Sequence, residues 1–196
     1  MNPTSPPTRV APGEQVRPVR LQGIDGAVFD LAVLSGQRYM LSFLRFASCP
    51  FCNLRVHELT QRFEELGETF TIVVVFDSPL DNLIRHAARH AARFPILADE
   101  TGAYYRAYAI ERSFGGVLKG MVLRAPSLMK AMALGYLPTS PKGSLTTMPA
   151  DFLVDELGVV RAAHYGTDEG DHLPFETVRA FAHQGIGALP AETRSR

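Results

Sequence analysis

The stretch RYMLSFLRFASCPFCNLRVHEL, residues 38–59, carries an apolar run straight into the chain's two cysteines, Cys49 and Cys52. RYMLSFLRFA reads as a buried strand that stops at the cysteines. From Pro50 onward Leu54, Val56, Leu59, Phe63 and Leu66 trace a mostly helical apolar stripe, and Gly67 is placed to cap its C-terminus. FTIVVVF, residues 70–76, is continuously apolar, the pattern of a strand covered on both faces. These three segments make a β-α-β unit with C-x-x-C at the strand-to-helix junction.

Upstream, VRLQGIDGAVFDLAVL places Asp25-Gly26 between β-prone runs and predicts a hairpin. Residues 1–17 are dominated by Pro, Ser, Thr and Gly and predict a flexible arm, disordered or loosely docked. Downstream, LDNLIRHAARHAARF predicts a second helix, ILAD a short strand and GAYYRAYAI a further helical segment. Residues 113–147 combine Gly115-Gly116, the apolar VLKGMVLRAPSLMKAMALGYL and the polar loop PTSPKGSLTT, which predicts a helical insertion rather than a second domain. ADFLVDELGVVRAAHYG predicts an antiparallel hairpin turning at Asp155-Glu156-Leu157-Gly158, and LPFETVRAFAHQGI a final helix. The expected class is α/β, a central mixed sheet flanked by helices, with residues 18–196 as one domain.

Twenty basic and twenty acidic residues balance, which gives no overall pull toward nucleic acid or an acidic membrane. The N-terminal MNPTSPPTRVAPGEQVRP lacks the apolar core of a secretory signal, and no run of about eighteen apolar residues occurs. A cytoplasmic setting is the expectation, and it disfavours a static disulfide in favour of metal binding or redox chemistry at the pair.

Two cysteines placed at random fall three apart in only about one arrangement in a hundred, so the spacing carries information. Pro50 suits the first helical position, which puts Cys49 at the N-cap and Cys52 in the first turn. There a sulfur faces unpaired backbone N–H groups and the positive end of the helix dipole, which favour a thiolate. Arg45, Arg55 and His57 stand close enough in sequence to add positive potential. Such a Cys49 can attack a disulfide or peroxide, with Cys52 closing on it to release product. A zinc site wants about four ligands, two more than this pair supplies, and two buried structural thiols would explain neither the junction nor the proline.

With CPFC at this junction and TTMPADFLVDELGVV at residues 146–160, the chain resembles the thioredoxin-fold superfamily and, within it, the peroxiredoxin-like AhpC/TSA group carrying a CPxC site. The resemblance spans roughly residues 18–186. It implies a thioredoxin-like fold and a thiol-dependent antioxidant enzyme cycling Cys49 and Cys52, with Pro50, Phe51, Arg45, Thr147, Met148 and Pro149 shaping the site. Pro149 would be cis, preceding an edge-facing strand and turning the Met148 backbone toward the active sulfur. No cofactor or metal is implied. Electrons would come from a thiol donor such as thioredoxin or glutathione, and the substrate would be a thiol or disulfide protein or a small peroxide. The alternative is a non-catalytic binding or scaffold module that keeps the fold.

Departures from the family patterns are informative. If Cys52 matches the peroxidatic cysteine of P-x-x-x-T-x-x-C, Arg45 stands at the proline and Cys49 at the threonine. Pro149 occupies the place of the arginine that steadies the peroxiredoxin thiolate, a role Arg45 is positioned to replace. Phe43 occupies the place of the buried acid upstream of the thioredoxin pair. CPFC and TMP are similar to glutaredoxin motifs, without the glutaredoxin Gly-Gly segment.

Elsewhere, His86 and His90 at i and i+4 sit among Arg85, Arg89 and Arg93, which predicts a solvated basic face rather than a metal site. HYGTDEGDHLP gathers His164, Asp168, Glu169, Asp171 and His172, read as a capped loop with a metal or functional role as the alternative. Met121, Met129 and Met132 read as core, with a substrate-facing surface or a homodimer interface as alternatives. Ser42, Ser48 and the histidines lack any nucleophile-elbow context, and a hydrolase is set aside.

Overall fold

A computed structural model of the chain describes residues 7–139 and 141–189. Strands β3 (Arg38–Leu44) and β4 (Phe70–Phe76) pair in parallel along their whole length, Arg38 opposite Phe70 and Leu44 opposite Phe76. A parallel pair needs a crossover. Helix α1 (Pro50–Gln61) and a 3-10 turn at Phe63–Leu66 provide it. On one side, β5 (Ile96–Ala98) pairs in parallel with β4, and the hairpin β1 (Arg20–Gly23) and β2 (Val28–Asp30) adds antiparallel to β5. On the other, β6 (Ala150–Val154) runs antiparallel to β3, and β7 (Val160–Tyr165) closes the edge. The order is β2-β1-β5-β4-β3-β6-β7, a mixed sheet.

The unbroken apolar runs follow from burial on both faces, because successive side chains point to opposite sides of a strand. Met40, Leu44, Ile72, Val74 and Phe76 face the layer of α1 and α6 (Phe175–Gln184), where Cys49, Cys52, Val56, Leu59, Val178 and Phe181 pack. Tyr39, Leu41, Phe43, Val73 and Val75 face the opposite layer, with Tyr105 of α3 (Ala103–Ala107) and Tyr108. Phe43 is fully buried, with ring centroids 5.2 Å from Tyr105, 4.7 Å from Tyr108 and 6.1 Å from Phe152. The position where thioredoxins bury an acid is thus the centre of an aromatic cluster on the far face from the sulfurs.

Several expectations change. No peptide bond among the described residues is cis, so Met148–Pro149 is trans. The strand after it, β6, lies inside the sheet between β3 and β7 rather than at an edge. The first six residues of the proposed arm lie outside the described residues, but the rest of it is docked. Val10 is buried, Gly13 N–H donates to the Val160 carbonyl and Gln15 bridges to Val159, so apolar contact and strand-edge hydrogen bonds override the loop-like composition.

The second helix, α2 (Leu80–Ala87), is shorter than its pattern. A 3-10 turn at Ala88–His90 and a left-handed Ala91 (φ 49°) end it. That break swings His90 inward, buried, off the face predicted to be solvated. The insertion forms α4 (Phe114–Leu123) and α5 (Ala125–Ala133). Its methionines are not core: Met129 is 71% exposed, and Met121 and Met132 about half, because the sheet's faces are already filled.

Replacing Phe43 by Ala should lower the unfolding free energy by about 3–5 kcal/mol in urea titrations, as expected for an aromatic cavity. Leu157→Ala in the exposed β6–β7 turn should stay within about 0.5 kcal/mol.

Candidate active site

Strand β3 ends at Leu44, and the chain turns through residues 45–49 before Pro50 opens α1. Cys49 is the N-cap, extended at φ −64° and ψ 122°, and its carbonyl accepts the first helical bond from Asn53 N–H at 3.0 Å. Asn53 locks this turn. Its Nδ2 donates to the carbonyls of Ala47 (2.8 Å) and Cys49 (2.9 Å), which leaves Oδ1 to accept from His90 Nε2 at 2.9 Å. Burial first, and then Arg89, hold the His90 imidazole down to about 4, so it is neutral and serves as a fixed donor.

Arg45 organises the rest. Its backbone N–H donates to Cys52 Sγ at 3.3 Å, and its buried guanidinium places Nη1 3.7 Å from Cys49 Sγ. Nε donates to the Thr147 carbonyl at 2.9 Å and Nη2 to that of Leu145, so the cation straps the 143–147 loop over the sulfurs. The same loop is tied from below, where Thr147 Oγ1 donates to Asp77 Oδ2 at 2.7 Å. Gly143, at φ +107°, makes this approach feasible: a Cβ there would lie 2.0 Å from the Asp77 carbonyl oxygen.

The two thiols are fully buried and electrostatically unequal. Burial alone, the largest influence, pushes Cys49 up. The hydrogen bond from Cys52, the Arg45 charge and the amides of Cys52 and Phe51 together outweigh it and bring Cys49 down to about 7. Neither amide forms a well-aligned capping bond to the sulfur. Cys52 moves the other way, well above the ordinary thiol range, because burial and its bond to Cys49 both favour the protonated form. One sulfur is prepared as a thiolate, and its neighbour holds the proton.

Of the predicted site residues, Cys49, Cys52, Arg45 and Thr147 converge. Pro50 and Phe51 are buried at the start of α1, and Phe51 lines a groove of about 510 Å³ shared with Leu54, Arg55, Arg124 and His172. The Met148 amide and the Pro149 carbonyl are already taken within the fold. Met148 N–H donates to the Glu111 carbonyl and the Pro149 carbonyl accepts from Gly166 N–H, each at 2.9 Å. Asn53, Asp77, Leu145 and Glu169 belong to the site and were not singled out for it by sequence. Asp77 carried a signal, an acid directly after an apolar strand, and Glu169 another, the composition of its loop.

Ser42, Asp151 and His172 do meet, but in the wrong order for a hydrolase. Ser42 Oγ donates to Asp151 Oδ1 at 2.6 Å and His172 Nδ1 lies 3.2 Å from Asp151 Oδ2, so the carboxylate separates the hydroxyl from the imidazole. Asp151 is a structural anchor, also receiving Leu173 N–H at 2.8 Å. Although burial acts most strongly on it and upward, His172, Arg55 and Ser42 leave its carboxyl well below the usual range. In the loop predicted to be capped, Asp171 Oδ2 accepts from Thr167 N–H at 2.8 Å, and Asp168 Oδ1 from Gly170 N–H at 3.0 Å. No group of three or more His, Cys, Asp or Glu suited to a metal occurs among the described residues.

The sequence profile of the AhpC/TSA family matches residues 12–163. No curated protein matches. Among solved structures, peroxidoxin BcpB from Mycobacterium tuberculosis superposes with a TM-score of 0.64 at 14% identity, covering 93% of this chain and 100% of that one. Thiol peroxidase from Chromobacterium violaceum gives 0.64 at 14% identity over 92% and 90% of the two chains. A protein described as a thiol:disulfide interchange protein DsbE from Chlorobium tepidum gives 0.59 at 20% identity over 92% and 99%. At these identities the likeness is one of thioredoxin-like fold.

Titrating the thiolate absorbance of the reduced protein should give a transition centred near pH 7 that is absent in Cys49→Ser. In Arg45→Met the transition should move upward, toward the ordinary thiol range. An unchanged midpoint would remove Arg45 from the electrostatics of the sulfur.

Proposed function

Because this chain belongs to the AhpC/TSA family, we propose that its thiol-dependent redox chemistry is the reduction of a small hydroperoxide by the Cys49–Cys52 pair. The observation that carries this reading is the combination of a thiolate-prepared Cys49 with complete burial of both sulfurs. A small hydroperoxide needs far less opening of the 143–147 loop than a protein disulfide would. The Cys49 thiolate attacks the terminal peroxide oxygen, an S–O bond forms as the O–O bond breaks, and the leaving alkoxide or hydroxide takes up a proton. Cys52 then attacks the sulfenic acid, the disulfide closes, and its proton leaves with the hydroxyl as water. An external dithiol returns two electrons and two protons, through a mixed disulfide. A cytoplasmic setting, where such donors are abundant, fits this cycle.

Arg45 supports the first step by stabilising the thiolate and by holding Thr147 and Leu145 where they wall the sulfurs. It stands on the side of the pair that P-x-x-x-T-x-x-C gives to proline. Disulfide exchange is the second reading, favoured by the proton held on Cys52, as in a resolving thiol.

Mixing the reduced protein with stoichiometric hydrogen peroxide in stopped flow should consume both thiols far faster than a free cysteine reacts. Cys52→Ser should accumulate a sulfenic acid at Cys49, trapped by dimedone, and Cys49→Ser should lose the fast phase. Thiols that survive at free-cysteine rates would sink the peroxidase reading. A mixed disulfide trapped in Cys52→Ser would then identify exchange.

A further inference from the structure

Arg45 Nη1 has a second anionic neighbour. Glu169 Oε1 lies 3.5 Å from the same nitrogen that lies 3.7 Å from Cys49 Sγ. Both side chains of the ion pair are almost completely buried, 4% and 3% exposed. The other carboxylate oxygen, Glu169 Oε2, is buried without a hydrogen-bond partner. Helix α4 is shaped to admit it: a Cβ on Gly120 would stand 1.5 Å from Oε2, so only glycine leaves room for the carboxylate. A buried acid with one oxygen unsatisfied is costly.

Its surroundings leave Arg45 as the decisive partner. Asp168, next in the chain, pairs with Arg124, while His164 pairs with Asp171 and His172 with Asp151. On α4, Lys119 donates to Thr167 Oγ1 at 3.0 Å. Burial, the largest influence, pushes the Glu169 carboxyl up and Asp168 adds to the rise; Arg45 opposes it most strongly, and Arg124 less and only through space. One guanidinium nitrogen therefore serves two groups that can each carry a negative charge, in a site that excludes water.

We propose that Glu169 is a positioning residue that acts through Arg45, competing with the Cys49 thiolate for its charge in the dithiol state and taking it undivided once the sulfur is bound in a disulfide. This rests on the Cys49–Cys52 redox reading above and deepens it. The disulfide is neutral, so oxidation removes the competitor and leaves a matched Arg45–Glu169 pair. The carboxylate thus makes the reduced state less stable relative to the oxidised one, and the dithiol a stronger reductant than Arg45 alone would allow. It also holds the ionisation of Cys49 at a higher pH than an Arg45 free of Glu169 would set.

The test is Glu169→Gln, which keeps the shape and removes the charge. The thiolate absorbance midpoint of Cys49 should fall by about one pH unit, the size expected for loss of a like charge. Above that midpoint, the ratio of thiol to disulfide in a glutathione or dithiothreitol buffer should shift toward the dithiol by up to about tenfold. A purely structural Glu169 would change stability and leave both quantities where they were, and that result, or a midpoint moved upward, overturns the proposal. Thiolate absorbance needs no turnover, so a protein that reduced no peroxide and exchanged no disulfide would end the functional reading and leave this measurement standing. If Glu169→Gln does not fold, infrared difference spectra of the unaltered protein grown with isotopically labelled glutamate decide the matter. A glutamate carboxylate band that changes between dithiol and disulfide is expected, and its absence overturns the proposal.

Discussion

A guanidinium buried beside two sulfurs is the constraint on which this site is built. Removing the Arg45 charge from water is costly unless its N–H groups are satisfied and a counter-charge is near. Here carbonyls of Leu145 and Thr147 satisfy two directions, and Cys49 and Glu169 lie in the third. Arg45 itself follows the end of β3, and its partners come from three other parts of the chain: the start of α1, the loop before β6 and the loop after β7. Placing one cation therefore fixes the relative positions of four segments.

The sheet supplies the rigidity that makes this placement specific. Parallel pairing of β3 with β4 sends the crossover helix back over one face, so the junction carrying Cys49 sits at the C-terminal end of a central strand. Asp77, just beyond the C-terminal end of β4, lies beside that junction and holds Thr147 from below. Antiparallel β6, on the other flank of β3, brings the preceding loop over the sulfurs and anchors the loop after β7 through Asp151 and Leu173. The insertion then covers the site from outside, with α4 opened at Gly120 to receive Glu169.

The inequality of the two thiols has a simple origin. Both are buried, and burial alone would keep both protonated. What separates them is that the Cys52 proton, the Arg45 charge and the helix-terminal amides together outweigh burial at Cys49, while at Cys52 the bond to Cys49 and the Cys49 charge add to burial and the Arg45 charge and backbone N–H only partly oppose them. A dithiol in which one sulfur is ready to attack and the other keeps its proton until needed is the arrangement a two-step cycle requires.

The β-α-β frame, the hairpins and the cysteine junction were legible in the sequence because they rest on local periodicity: unbroken apolar runs for two-faced strands, a proline at the first helical position, a Gly-containing turn. Arg45 was legible as a neighbouring charge four residues away. The trans geometry at Pro149, the occupied Met148 amide, the inward His90 and the docking of residues 10–16 were not, because each depends on which distant segment fills a hydrogen bond or a cavity. Glu169 shows the same division. Its loop stood out by composition, but its role arises from a contact with Arg45 across 124 positions of chain, read as 169 minus 45. The sequence by itself determined the elements and the reactive pair, since those follow from short-range sterics and side-chain alternation. Only the tertiary structure decided which charges face the sulfur, because electrostatics in a buried site depends on distance through space and on the water that packing excludes.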